Sequence, residues 1–338
     1  MILDITTLNL KDNYYYQQWQ NLVQNEGLVI ENLADITETL GIYDGDKLIA
    51  TGSYFENVLK YLAIDPDYQG GNTFNKIVST LINELAAQNV FHIFVFTKPK
   101  YKKSFEYLGF QIIAETEFSA LLETGDYSIG QYIKSLPKVT GQNISAIVMN
   151  ANPFTLGHRY LVEQASKQSD YVYLFVVNQD ASLFTTQERI DLIKQGVADL
   201  GNVIVVSGDQ YMVSFVTFPA YFIKSRADVA KYQTQLDAKV FKRVASALHI
   251  NRRFVGNEPY SPTTEIYNRS MKQILPPEIS LDILDRKAID NDIISATKVR
   301  KAIQESNLEA VQKYVPETTF KFIKNNLPVL LRRIHNGN

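Results

Sequence analysis

A chain of 338 residues is long enough for two domains, each with its own core. Its 45% hydrophobic and 21% charged residues are ordinary for a soluble globular protein, and a net charge of −2 supplies no overall field to attract nucleic acid. The absence of cysteine excludes disulfides, thiolate metal sites and a cysteine-bound acyl intermediate, so any thiol that accepts an acyl group belongs to another molecule.

The start, Met1-Ile2-Leu3-Asp4, lacks the basic stretch and long apolar run of a signal peptide. Apolar runs such as 171–177 are too short to span a bilayer, and the chain reads as cytoplasmic. Strand-like runs at 48–54 and 58–64 precede a helical stretch from about 75 to 88. A β-type run at 91–96, a short helix near 102–108 and a run at 110–115 follow. Residues 125–142 mix Gly, Ser, Pro and Lys without sustained periodicity, which places a domain boundary there and predicts domains at 1–135 and 142–338. The second segment opens on a buried-strand pattern at 144–149 and turns at 150–153 into a helix. Strand-like 171–177 and 203–206 alternate with helical 186–199. A helical stretch at 237–248 precedes a strand at 253–255, and 281–284 leads to a helix beginning near Ser295. Strands alternating with helices predict an α/β fold with a parallel sheet covered on both faces.

Two segments carry chemistry. In Ile147-Val148-Met149-Asn150-Ala151-Asn152-Pro153-Phe154-Thr155-Leu156-Gly157-His158 an apolar strand runs through a turn into a helix, the place where open α/β sheets bind ligands. Gly157 permits close approach of a phosphate, Thr155 offers a hydroxyl, His158 an imidazole, and the helix start offers aligned amides. Far along the chain, Ile294-Ser295-Ala296-Thr297-Lys298-Val299-Arg300 has a capping serine followed by hydroxyl, ammonium and guanidinium groups within about two turns. Arg300 suits bidentate phosphate binding, while Lys298 either adds a point charge or simply faces solvent. Each piece alone reads as a turn or a cap; both in this order, each at a strand-to-helix junction, read as one polyphosphate site.

This pair resembles the T/H-x-G-H and I-S-x-T-x-x-R signatures of the nucleotidyltransferase superfamily. The second segment further resembles the citrate lyase ligases, a branch of it, through residues 150–163, Thr217-Phe218-Pro219-Ala220-Tyr221-Phe222, Arg253-Phe254-Val255-Gly256-Asn257-Glu258-Pro259 and Thr263-Thr264-Glu265-Ile266-Tyr267-Asn268. The likeness extends over nearly all of 143–330. It implies a Rossmann-like domain and an acid–thiol ligase that turns ATP and acetate into acetyl-adenylate and pyrophosphate. The acetyl group then passes to the prosthetic-group thiol of the citrate lyase acyl carrier subunit, with release of AMP. By the same implication Thr155, His158 and Arg300 are catalytic, stabilising the pentacovalent transition state and the β- and γ-phosphates. Asn150, Pro153, Phe154, Gly157, Ser295, Thr297 and Lys298 join the ATP site, with Mg²⁺ carried by the triphosphate rather than by a protein metal site.

Weaker candidates lie on the same rim. Asp180, Ser182 and Arg189 follow the second strand, and Gly256 and Glu258 follow the strand at 253–255; each lines the adenylate pocket or serves an ordinary turn. Asp237 with Lys242 and Arg243 reads as a charged helix face. His92, His249 and His335 show no matching carboxylate at metal-ligand spacing, and Trp19 reads as packing.

In the first segment, Tyr61 to Asn72 resembles the acetyl-CoA loop of GNAT acetyltransferases, with Gln69, Gly70 and Gly71 at the pyrophosphate turn, and Tyr107-Leu108-Gly109-Phe110 resembles a later part of that fold. The pattern departs at Asn72 and Phe74, where a second glycine and a small residue are usual. The resemblance implies a GNAT-like domain; fused to an acetate-activating domain, it is expected either to bind the CoA-like arm of the carrier subunit or only to scaffold or dimerise. Two other functions fit parts of the sequence. One is a nucleotidyltransferase acting on a phosphorylated cofactor precursor, for which Arg159 is the only close extra cation. The other is an amine acetyltransferase with a nucleotide-sensing domain.

Overall fold

The computed structural model describes residues 4–69, 72–178, 182–212, 218–223, 225–257, 262–285, 287–289 and 292–337. The chain divides into two compact units: Met1–Tyr132 with Phe218–Leu236, and Ile133–Thr217 with Asp237–Asn338.

The first unit runs β1 (Asp4–Thr7), α1 (Asn13–Asn25), β2 (Glu38–Asp44), β3 (Lys47–Phe55), β4 (Val58–Ile64), α2 (Thr73–Ala87), β5 (Ile93–Thr97), α3 (Lys102–Tyr107), β6 (Gln111–Glu115) and β7 (Ala120–Thr124), leading into α4 (Ile129–Ser135). Its sheet has the order β1-β2-β3-β4-β5-β7-β6. Every pairing is antiparallel except β4 with β5, which pair in parallel only at Val58↔Phe94 and Leu59↔Val95. Helix α2 buries Ile77, Val78, Leu81 and Leu85, a stripe at helical spacing, in one cluster with Leu40, Ile49 and Leu59 of the sheet. Trp19 is fully buried and meets the Tyr61 ring edge-on, as packing requires. His92 has a structural partner: its Nε2 lies 2.9 Å from Glu123 Oε2, whose other oxygen accepts the Ile129 N–H. Pairing of β5 with β7 brings that carboxylate across 31 residues, a distance no spacing rule covers.

The second unit contains β8 (Ile144–Met149), α5 (Leu156–Lys167), β9 (Tyr171–Val176), α6 (Thr186–Gly196), β10 (Val203–Ser207), α7 (Arg226–Ala247, which begins in the first unit), β11 (Arg252–Gly256), α8 (Pro262–Ile274), β12 (Ser280–Leu284), the short hairpin β13 (Ala288–Ile289) and β14 (Asp292–Ile293), then α9 (Ala296–Gln304), α10 (Leu308–Tyr314) and α11 (Glu317–His335). The main sheet is parallel throughout, in the order β10-β9-β8-β11-β12. Its core joins the strand residues Ile147, Met149, Leu174, Val176 and Phe254 to the helix residues Val162, Ile193, Val299 and Ile323. The first strand of the sheet is central and the chain crosses to its other side after β10. The reversal therefore falls between β8 and β11, which opens a crevice at their carboxyl ends. Among the described residues no helix is long and apolar enough to cross a membrane.

Candidate active site

The turn after β8 is held by its own caps and by distant side chains. Thr155 is the N-cap of α5, its hydroxyl accepting the His158 N–H at 3.3 Å while its own N–H donates to His158 Nδ1 at 3.1 Å. This is a capping box with histidine in the place usually held by glutamate. Because Nδ1 accepts a main-chain N–H, the neutral ring carries its proton on Nε2, which makes that nitrogen a donor. Phe154, fully buried, stacks on the His158 ring at 6.0 Å and 14°. It lies so close to Gly196 of α6 that a Cβ there would stand 2.6 Å from the Phe154 ring.

Asn152 gathers the rest of the turn. Its side-chain oxygen accepts the Phe184 N–H at 3.1 Å, and its carbonyl accepts Arg300 Nη1 at 2.7 Å, across 148 residues of sequence. Arg300 also donates to Thr297 Oγ1 at 3.2 Å. Burial lowers the Arg300 pKa from its ordinary value, yet a guanidinium stays charged at neutral pH. Ser295 caps α9 by accepting the Lys298 N–H. A Cβ on Gly157 would come within 3.5 Å of Ile294 Cβ, an ordinary contact, so the two helix starts adjoin and the protein itself leaves room for a side chain at Gly157.

A cavity of about 470 Å³ occupies the crevice between the ends of β8 and β11 and the starts of α5 and α9. Of the residues singled out in the sequence, Asn150, Thr155, Gly157, His158, Gly256, Ser295, Thr297 and Arg300 line it. Pro153, Phe154, Ser182 and Arg189 are buried and do not line it. Arg189 is a clamp: its guanidinium donates to the carbonyls of Asn150 (2.9 Å), Val177 (2.7 Å) and Phe184 (3.2 Å) and to Thr186 Oγ1. Lys298 is turned to Asp292 and the Ile293 carbonyl. Asp180, Glu258, Gly70 and Gly71 lie outside the described residues. Arg159, the extra cation that a phosphate-bearing acceptor would need, is held by Asp199 and Glu163.

Several lining residues carry no motif. Asp237, expected on a charged helix face, is buried: its carboxylate accepts the Tyr267 hydroxyl at 2.6 Å, and Arg253 Nη2 donates to the same hydroxyl at 2.8 Å. Burial pushes the Asp237 carboxyl up against the lowering pull of Arg253 and of the Tyr267 bond. The helix-face reading fails because α8 and β11 cover this turn of α7, which no local pattern announces. Lys242, by contrast, pairs with Glu278 at the surface. Lys287 and Tyr160 also line the cavity. Among the described residues no group of three or more His, Cys, Asp or Glu is arranged to hold a metal ion.

The first unit has a cavity of its own, about 590 Å³, where β4 and β5 diverge beyond their two paired residues. Its walls are largely apolar, including Leu62, Phe74, Phe96 and Phe105. Gln69 lines it and donates to the Ile64 carbonyl at 2.9 Å and to Glu26. Tyr221 closes one side, its hydroxyl donating to the Phe96 carbonyl at 3.1 Å.

Residues 144–323 match the family described as the citrate lyase ligase C-terminal domain. Over 295 residues, 84% of this chain and 88% of the relative, the sequence is 37% identical to the citrate (pro-3S)-lyase ligase of Haemophilus influenzae. Among solved structures, Thermotoga maritima TmcAL bound with alpha-thio ATP is similar over 55% of this chain and 56% of its own, at 12% identity and a TM-score of 0.37. A GNAT-family acetyltransferase of Staphylococcus aureus is similar over 37% of this chain and 99% of its own, at 12% identity and a TM-score of 0.30.

Proposed function

The chain belongs to the citrate lyase ligase family, and from that premise we propose that it activates citrate lyase by ATP-dependent acetylation. An acetate oxygen attacks the α-phosphorus of ATP, the bond to the bridging oxygen of the β-phosphate breaks, and pyrophosphate leaves with the electron pair. The thiol of the prosthetic group on the citrate lyase acyl carrier subunit then attacks the acyl carbon. AMP departs, and the thiol proton goes to solvent. The acceptor thiol is external, in keeping with a chain that has no cysteine.

The observation that carries this reading is the convergence of two capped helix starts, His158 and Arg300 on one cavity at the point where the strand order reverses. Negative charge grows on the departing pyrophosphate, and fixed donors that already point at it need no reorganisation during the reaction. The reading gives His158 Nε2–H and the Thr155 hydroxyl to the α-phosphate, and Ser295, Thr297 and Arg300 to the β- and γ-phosphates. The Arg300–Asn152 bond ties the two halves of the site into one geometry. Magnesium fits this donor set as a companion of the triphosphate, held by phosphate oxygens and water and adding charge neutralisation there. The cavity of the first unit is assigned to the CoA-like arm of the carrier subunit, supported by its apolar walls and by Gln69 at its edge. The reaction is proposed to run in the cytoplasm.

The direct test of the first half-reaction is acetate-dependent exchange of labelled pyrophosphate into ATP. Exchange in the wild type that is lost in His158→Ala supports the reading. Exchange that ignores acetate sinks it.

A further inference from the structure

The cavity of the second unit carries a cation that neither sequence motif marks. Lys287 lines it together with Ser295, Thr297 and Arg300, and its side chain is exposed. Its position is set by the backbone. Ala288↔Ile293 and Ile289↔Asp292 pair as a short antiparallel hairpin, and just outside that hairpin the Ile294 N–H donates to the Lys287 carbonyl at 3.3 Å. Lys287 is thereby pinned beside the residue that precedes the α9 cap. Its Nζ stands 5.8 Å from the ring of Tyr160, a residue of α5 that lines the same cavity. Lys287 therefore sits where the two helix starts meet. Asp285, two residues earlier, accepts from Asn257.

The lysine inside the motif is placed differently. Lys298 Nζ is bound to Asp292 and to the Ile293 carbonyl, and it does not line the cavity. Asp292 also accepts the Tyr314 hydroxyl, and its carboxyl is held below its ordinary range by Lys298 first and Tyr314 second. That pair fastens the hairpin to the helices behind it and leaves the cation of Lys298 already matched by a carboxylate.

We infer that Lys287, and not Lys298, supplies the mobile positive charge for the β- and γ-phosphates of ATP and for the pyrophosphate that leaves. The assignment rests on the ligase reading above. Arg300 is fixed by its bonds to Asn152 and Thr297 and suits a bound geometry that does not change. A lysine on a flexible stem with three rotatable donors follows the leaving group as it separates. Lys287 is thus a phosphate-binding residue, while His158 and Arg300 keep the roles given above.

The test is equilibrium binding to the full chain, by calorimetry, of MgATP, pyrophosphate and AMP. Lys287→Gln should weaken MgATP and pyrophosphate by about tenfold to a hundredfold, the loss expected for one charge-assisted contact. AMP binding and the KM for acetate should hardly change. Lys287→Arg should restore most of the affinity, and Lys298→Gln, which removes an anchor of the hairpin but no cavity cation, should lower it several-fold less than Lys287→Gln does. An unchanged thermal unfolding midpoint in Lys287→Gln separates lost binding from lost folding. If Lys287→Gln binds MgATP like wild type, or if Lys298→Gln takes the loss instead, the assignment is overturned while the ligase reading stands. A wild-type protein that binds no MgATP would overturn both.

Discussion

Replacing Arg189 by methionine probes how the turn that carries His158 is supported. The methionine fills much of the same buried volume and removes every donor. Three main-chain carbonyls then lose a guanidinium partner, those of Val177 and Phe184 in a place closed to water and that of Asn150 beside the cavity. An unpaired buried acceptor costs about 1–3 kcal/mol, so the two closed carbonyls would sum to roughly 2–6 kcal/mol. Methionine avoids the desolvation of a buried guanidinium, which offsets part of that loss, so the lower half of that range is expected. With two units in the chain, a single global unfolding curve mixes transitions, and native-state hydrogen exchange at amides of β8 and α6 reports the loss where it occurs. The Asn150 carbonyl is fixed by Arg189 and the Asn150 residue lines the cavity, so affinity for MgATP should fall with the local stability. A loss under about 1 kcal/mol, no more than one ordinary hydrogen bond, with unchanged MgATP affinity, would refute the clamp.

Three other perturbations follow the same logic. Gly196→Ala places a methyl 2.6 Å from the Phe154 ring, and the overpacking cost of about 1–3 kcal/mol outweighs the roughly 1 kcal/mol gained in helix propensity. The variant should unfold earlier and turn over more slowly, because Phe154 backs His158; a stabilised protein would contradict the packing argument. Burial pushes the Glu188 carboxyl up, but the Arg333 fork and the Thr185 amide more than offset this and hold it below its ordinary 4.5. A depressed carboxyl stabilises the fold above its unfolded pKa, and that contribution is lost as pH falls below 4.5. Unfolding of wild type and Glu188→Gln should therefore differ by a constant amount at neutral pH and converge in acid, and a gap that widens in acid would reverse the sign. Gly70→Asp should abolish acetyl transfer to the carrier subunit while acetate-dependent pyrophosphate exchange persists; unimpaired transfer would remove the arm-binding role of the first unit.

The strand patterns of the second unit were legible because fully buried parallel strands read as unbroken apolar runs: 144–149 coincides with β8 and 171–177 overruns β9 by one residue. The two helix starts were legible because capping chemistry is local, and Thr155 and Ser295 are both caps. What escaped is set by tertiary contact. Helix α7 begins at Arg226, eleven residues before the stretch expected at 237, although Val229, Tyr232 and Leu236 already stand at helical spacing in its first turns, so this miss alone had a signal in the sequence. The capping box at Thr155 has histidine where glutamate is usual, so the box and the histidine tautomer emerge only from geometry. The motif lysine and the cavity lysine are distinguished only by the pairing of 288–289 with 292–293, which is too short to leave a pattern in the sequence. Arg189 carries the same residue type as a phosphate ligand, and only its three carbonyl partners reveal a clamp.

Whether the chain is an acetate-activating ligase is decided by product analysis with purified protein, ATP, Mg²⁺, acetate and citrate lyase in its deacetylated thiol form. AMP and pyrophosphate should form in step with regained citrate lyase activity, and both should be lost in His158→Ala. Intact ATP, or a dinucleotide formed with a phosphorylated acceptor, would contradict the ligase reading.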